Sequence, residues 1–278
     1  MNSIAEVGKR SDCEVFVVDN ASADDSVRTI KSLTPWVKLI ENKENLGFSR
    51  ANNQAMKLTQ GDFILLLNSD TENISGAIEK TLEFIEKHPE IDAVTCRVEL
   101  ENGKIDPACH RGFPAPWASF CYYAKLERLF PRIKLFSQYH MTYKPMSEPH
   151  EIDTPSGCFY LIRKKTIDKV GLLDEDYFFF GEDVDWSYRI KALGGKIYYY
   201  PDAKIVHHKG TSSGIKKETQ QKTKASKETR IKSVNYFYDA MKIFYTKHYK
   251  KKYPFIVSHV VCIGIEIKRL LSLWQLRV

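Results

Sequence analysis

Acidic and amide side chains recur where short apolar runs end, a pattern that suits a charged, oxygen-rich ligand. Phe63–Leu67 is five apolar residues closed by Asn68-Ser69-Asp70. So short a run predicts a buried strand rather than a helix, and Asp70 then emerges at the strand's carboxyl end, where open α/β sheets hold their ligands. A carboxylate there suits a hard divalent cation or a polar substrate. The same three residues also suit a plain turn and helix cap. Asp19 stands in the same relation to the β-branched and aromatic run at residues 14–18. A third group, Glu182, Asp183 and Asp185, follows the aromatic run at residues 177–180. Carboxylates beside aromatic rings lose hydration, which raises their basicity and suits general-base work. Acidic residues in a first helical turn also complement the helix dipole, by about 0.3–1 kcal/mol each.

The elements that position these groups read as alternating strands and helices. Strands are expected at residues 14–18, 37–40, 63–67, 93–100 and 158–162, and as two separate runs, 196–200 and 203–207, on either side of Pro201-Asp202. Helices are expected at residues 25–33, 51–58, 74–88, 182–193 and 229–249, with stops at Gly61, Pro89 and Gly194-Gly195. Asn45-Leu46-Gly47-Phe48 and Thr154-Pro155-Ser156-Gly157 read as turns. Residues 106–149, rich in proline and aromatics without a clean period, predict an irregular lid with short helices. Trp117, Phe120, Tyr122 and Tyr123 there suit either stacking on a sugar ring or packing of the lid.

The 278 residues carry a net charge of +7, unevenly spread. Residues 1–203 hold 25 Lys/Arg against 31 Asp/Glu, whereas residues 204–252 hold 14 against 3. An acidic body with a basic tail points to an anionic partner: nucleic acid, anionic lipid or a diphosphate-bearing substrate. Nucleic acid is not expected, since the basic stretch lacks a recognisable nucleic-acid-binding motif. Residues 210–214 read as a flexible polar loop, and the basic run 216–232 as mobile without ligand. Residues 255–267 are apolar but short and interrupted by His259 and Glu266. With Lys250-Lys251-Lys252 ahead of them, they predict an interfacial helix on an anionic membrane rather than a spanning one. Six scattered cysteines without a C-x-x-C pair suit reduced thiols, and no apolar leader opens the chain, so a cytoplasmic location is expected, peripheral at the membrane's inner face. The glycine-rich phosphate cradles G-x-G-x-x-G and G-x-x-x-x-G-K-[ST] are missing from the sequence.

Five pieces in sequence order, VVDNAS, NLGFSRANN, LLLNSD, FFFGEDVDW and IVHHKGTSS, resemble the family 2 inverting glycosyltransferases with a GT-A fold, above all their rhamnosyltransferase-like branch. The likeness runs over residues 13–213. It implies a mixed α/β sheet flanked by helices over residues 1–214 and a basic helical tail over residues 215–278. The activity implied is transfer of a sugar from a nucleoside-diphosphate donor, dTDP- or UDP-linked and including dTDP-rhamnose, to a glycan or polyprenyl-linked glycan acceptor. On the donor side the resemblance places Asp19, Asn45, Arg50, Asn68 and Asp70, with Arg50 either contacting phosphates or facing solvent. It makes Asp70 and His207 ligands of Mg²⁺ or Mn²⁺, and Asp183 the catalytic base. Glu182, Asp185, Trp186 and Gly157 fall on the acceptor side, where Trp186 suits core packing equally. A catalytically silent, truncated homologue acting as a binding or scaffold subunit is the alternative.

Two departures from the family pattern carry expectations. Asn68 stands where a first aspartate is usual, which leaves one carboxylate for the metal and predicts weak affinity until the diphosphate adds its oxygens. The family also opens with an apolar strand and helix, whereas the ten residues ahead of Ser11 resemble only the end of that helix. The strands ending at Asp19 and Asn68 are therefore expected about two strand spacings apart, with a slot between them. A late start or a truncated gene would explain this, with the chain as given unstable or inactive.

Overall fold

The computed structural model describes residues 2–8, 10, 12–74, 76–208 and 226–276. The polar loop at residues 210–214, most of the basic run at 216–232 and the expected domain boundary at residue 214 lie outside them. Among the described residues, eight strands form two sheets. β1 (Phe16–Asp19) pairs in parallel with β2 (Lys38–Glu41). β3 (Phe63–Leu67), β4 (Thr71–Ile74), β5 (Ala93–Leu100), β7 (Phe159–Arg163) and β8 (Ile197–His207) run in the order β3-β7-β5-β8-β4, and β6 (His150–Ile152) pairs with β8. Parallel β5–β8 beside antiparallel β3–β7, β5–β7 and β4–β8 makes the sheet mixed. Its fully buried Ile91, Ala93, Val94, Cys96, Phe159 and Ile162 form the middle of the main core.

Helices flank the two sheets: α1 (Ala5–Gly8), α2 (Ser26–Leu33), α3 (Phe48–Met56), α4 (Ala77–Lys87), α5 (Pro116–Tyr123), α6 (Leu126–Leu129), α7 (Lys164–Val170) and α8 (Glu182–Ala192), with α2 and α3 against β2 and β1. α4 packs on β5 and β8, and α7 on β7 and α8. α9 (Lys227–Phe244), continued by a π turn at Tyr245–Tyr249, and α10 (Phe255–Gln275) form the tail. A second core, in which Tyr177 and Val184 meet Ala240, Phe244, Tyr245 and Tyr249, fastens α9 to α8.

Four elements differ from the sequence expectation, one of them β6, a short strand that no apolar run announced. Residues 197–207 are one strand, not two, because a register shift between Cys96 and Arg97 absorbs Pro201, which lacks the N–H that a regular ladder needs. Thr71–Ile74 is a strand, and the helix after it begins only at Ala77, behind the left-handed Gly76. Half-polar TENI carries little strand signal of its own and is held by pairing to β8. Lys164–Val170 is a helix that no start signal announced.

β1 and β3 belong to different sheets, and among the described residues no strand joins their facing edges. Lys38 N–H and Asn42 N–H donate to the carbonyls of Val15 and Asp19, so the backbone of Phe16 and Val18 points away from β2. Lys164 N–H donates to Asp62 and Asn68 N–H to Cys158, so the backbone of Phe63, Leu65 and Leu67 points away from β7. Residues of both strands line a cavity of about 1730 Å³. Among the described residues β1 and β3 are thus not hydrogen-bonded to each other.

Candidate active site

The strand register builds one half of the site. β3 ends at Leu67, the chain turns through Asn68-Ser69-Asp70, and β4 then returns along β8 with Thr71 opposite His207. That register sets Asp70 Oδ1 3.1 Å from His207 Nε2, and the Asp70 carbonyl accepts from His208 N–H at 2.8 Å. His207 is buried, with Nδ1 3.7 Å from Asp106 and without a hydrogen bond of its own. Burial pushes its imidazole down, but the Asp106 and Asp70 carboxylates more than offset this and lift it to about 11. Among the described residues no group of three or more His, Cys, Asp or Glu side chains is arranged to hold a metal ion. Asp70 and His207 are two metal-competent side chains within hydrogen-bond reach of each other, one short of such a group.

The other half sits at the start of α8. Phe180 and Gly181 both adopt positive φ, which turns the chain sharply out of the aromatic run and into the helix. Gly47, also at positive φ, leaves no room for a side chain: an added Cβ would lie 2.5 Å from the Phe178 carbonyl, which accepts from Phe48 N–H at 2.7 Å. The turn after β2 is thereby locked to the aromatic run. Asp183 Oδ2 accepts from Gly157 N–H and from the Arg111 guanidinium, both at 3.1 Å, and Oδ1 from Val184 N–H at 2.8 Å. Arg111 also donates to the Pro155 carbonyl. Glu182 is 6% exposed, its Oε2 without a hydrogen-bond partner. Burial, and then the neighbouring Asp183 carboxylate, raise it to about 8.

Asn68, Asp70, Gly157, Glu182, Asp183 and His207 all line the same cavity, together with Arg111. The other expected site residues do not. Asp19 is buried and accepts from Ser22 N–H, while its neighbour Asn20 reaches the cavity and bonds to the Gly47 carbonyl. Asn45 Oδ1 caps Gly47 N–H, a turn-forming bond. Arg50 faces solvent, paired with Glu175 at 3.3 Å. Trp186 is fully buried, its indole N–H on the Gly171 carbonyl and its ring against Tyr160, so it packs the core and does not border the cavity.

Asp185 is likewise no acceptor contact. It is 1% exposed and held by Arg189 at 2.8 Å, His248 at 2.6 Å and the Tyr177 hydroxyl at 3.4 Å. Burial pushes its carboxyl up, and His248 and Arg189 overcome this, leaving it below the usual aspartate range. The raised basicity expected of these three carboxylates therefore applies to Glu182 and is reversed at Asp185. Sequence reasoning missed Arg111 and His248. Each is a lone residue, more than 60 positions from its carboxylate, with no spacing that signals the pairing.

The state of Glu182 has a measurable consequence. Its folded pKa lies above the ordinary value of about 4.3, so the neutral acid is favoured by folding and stability falls as pH rises from there to about 8. Glu182→Gln, shaped like the neutral acid, should melt higher than the parent by a margin that widens with pH to about 8 and then grows no further. Thermal scans across that range check it, and a pH-independent difference would show that Glu182 stays ionised.

A sequence model of Glycosyl transferase family 2 matches residues 1–171, more than half of the chain. The N-acetylglucosaminyl-diphospho-decaprenol L-rhamnosyltransferase of Mycobacterium tuberculosis (strain CDC 1551 / Oshkosh) is 27% identical over 211 residues, covering 72% of this chain and 68% of that one. Among solved structures, GalNAc-T7 with UDP, GalNAc and Mn²⁺ aligns with a TM-score of 0.52 at 17% identity, over 84% of this chain and 43% of that one. A mannosyltransferase from Pyrobaculum calidifontis in complex with GDP-Man and Mn²⁺ gives 0.51 at 17% identity, over 95% and 64%. The mixed sheet flanked by helices is the GT-A fold, and the protein belongs to glycosyl transferase family 2.

Proposed function

We propose that this glycosyltransferase inverts configuration as it moves a sugar, dTDP- or UDP-linked and of the rhamnose type, to a glycan or polyprenyl-linked glycan in cell-surface polysaccharide synthesis. One observation carries the reading: the pair Asp70–His207 and the carboxylate of Asp183 line a single cavity. The rhamnosyltransferase relative, named for a decaprenol-linked acceptor, supports the choice of sugar and acceptor.

In this reading Asp70 and His207 hold Mg²⁺ or Mn²⁺, which when bound neutralises charge on the donor's diphosphate. Asp183 takes the proton of an acceptor hydroxyl as that oxygen bonds to the anomeric carbon. The bond from that carbon to the diphosphate oxygen breaks, and its electron pair leaves with the nucleoside diphosphate. Displacement from the opposite face inverts the centre. Gly157 N–H and Arg111 hold the Asp183 carboxylate in place, so orientation costs little at the moment of reaction.

A screen of nucleotide sugars by mass spectrometry tests the reading, and failure of every donor to bind the folded protein overturns it. Asp70→Ala should weaken nucleoside-diphosphate binding at least tenfold with Mn²⁺ and change it little without. Calorimetry in both conditions decides, and an equal loss in both would remove the metal role from Asp70. A second assignment has its own support: Glu182, with an unpartnered buried oxygen and a carboxyl raised to about 8, also suits a base. Turnover that climbs with pH to about 8 and is lost in Glu182→Gln would move the role there.

A further inference from the structure

α10 is inside out. Its polar residues face α9: Ser258 bonds to the Tyr245 hydroxyl at 3.0 Å, and Ser272 to the Tyr238 hydroxyl at 2.8 Å. Glu266 pairs with Lys242, and Arg269 reaches Asn235 at 3.0 Å and Asp239 at 2.8 Å. The opposite face is apolar and exposed, with Ile256, Val260, Ile263, Ile267, Leu270 and Trp274 at helical spacing over five turns. A helix on a water-soluble body normally does the reverse, and a contiguous apolar face of this extent marks an interaction surface. The lid adds to it. Exposed Phe120 and Tyr123 of α5 adjoin α10, where Lys268 Nζ lies 4.6 Å from the Tyr123 ring centre. Exposed Lys250, Lys251 and Lys252 precede the helix.

We infer that α10 and the α5 aromatics form a lipid-facing surface that seats the protein on an anionic bilayer. Charge selects this occupant over a second copy of the chain, because the lysines meet anionic headgroups on a membrane but meet no acidic group on the apolar face itself. No described helix is long and apolar enough to cross a membrane, and the polar face of α10 is satisfied by α9, so the helix lies on the bilayer. The cavity that holds Asp70 and Asp183 is also lined by Phe120, Tyr123, Val260 and Ile267, so the surface and the site share one space. This last point rests on the lipid-linked acceptor proposed above; the membrane surface does not.

The full chain should co-sediment with vesicles containing phosphatidylglycerol, weakly with pure phosphatidylcholine, and be released by salt. No sugar is present, so a failure here leaves the transferase reading untouched. Ile256→Glu/Ile263→Glu/Leu270→Glu changes only exposed side chains and should abolish co-sedimentation with the circular dichroism spectrum unaltered. Lys250→Gln/Lys251→Gln should weaken binding to anionic vesicles by about fivefold per lysine. Wild-type protein left in the supernatant, or apolar-face variants that bind as well as wild type, would overturn the inference. So would a dimer in sedimentation velocity that the glutamates dissociate while vesicles are ignored.

Discussion

Asp183→Asn should lower kcat by ~10²–10⁴ while the affinity for donor changes little. The amide keeps the shape of the carboxylate and can still accept from Gly157 N–H and Arg111 through its oxygen, giving up only the Val184 N–H contact, so the loop and α8 hold their places. What disappears is a group able to take a proton. The comparison with Asp183→Ala is informative, because alanine would also strip the carboxylate from a guanidinium that is only 16% exposed, and so lower stability as well as rate. Single-turnover rates and donor titrations on both variants separate the two effects. Turnover by Asp183→Asn within tenfold of the parent would acquit this residue and leave Glu182 to be tested.

How much of this was legible beforehand depends on what kind of information each element carries. Buried strands announce themselves through unbroken apolar runs, and Phe63–Leu67 and Ala93–Leu100 lie where the runs predict them. Thr71–Ile74 does not, since a half-polar edge strand exists only because β8 is beside it. The site divides in the same way. Asp70, His207, Glu182 and Asp183 stand at element ends, where local pattern and the family resemblance both reach them, and all four line the cavity. Asn45 and Arg50 belong to the same motif, yet one closes a turn and the other pairs with Glu175 at the surface. A motif specifies neighbours in sequence without saying which of them turn inward. Arg111 and His248 are the converse case. Their importance comes from which carboxylate each meets, and that is decided by the packing of the lid and the tail.

Asp185→Ala should cost about 3 kcal/mol or more of stability. The carboxylate is 1% exposed and joins three elements: Arg189 within α8, the Tyr177 hydroxyl in the aromatic run and His248 in the π turn that continues α9. Arg189 would keep the carbonyls of Val170 and Leu172, which places the cost at the lower end of the range for a broken buried pair. Among the described residues His248 has no such second acceptor and meets only the Tyr188 and Phe244 rings, so the fastening of the tail should loosen first. The folded carboxyl lies below the ordinary aspartate value of about 3.9, so its contribution is present above that pH and is lost as pH falls through the folded value. Asp185→Asn should accordingly be less stable than the parent at neutral pH, by a gap that narrows in acid. Urea denaturation at neutral pH and near pH ~3 reads both effects. A neutral-pH difference within about 0.5 kcal/mol would show that the tail is held without Asp185, by the apolar contacts of Tyr177, Val184, Ala240 and Phe244 and the pairs of Lys247 with Asp174 and Asp176.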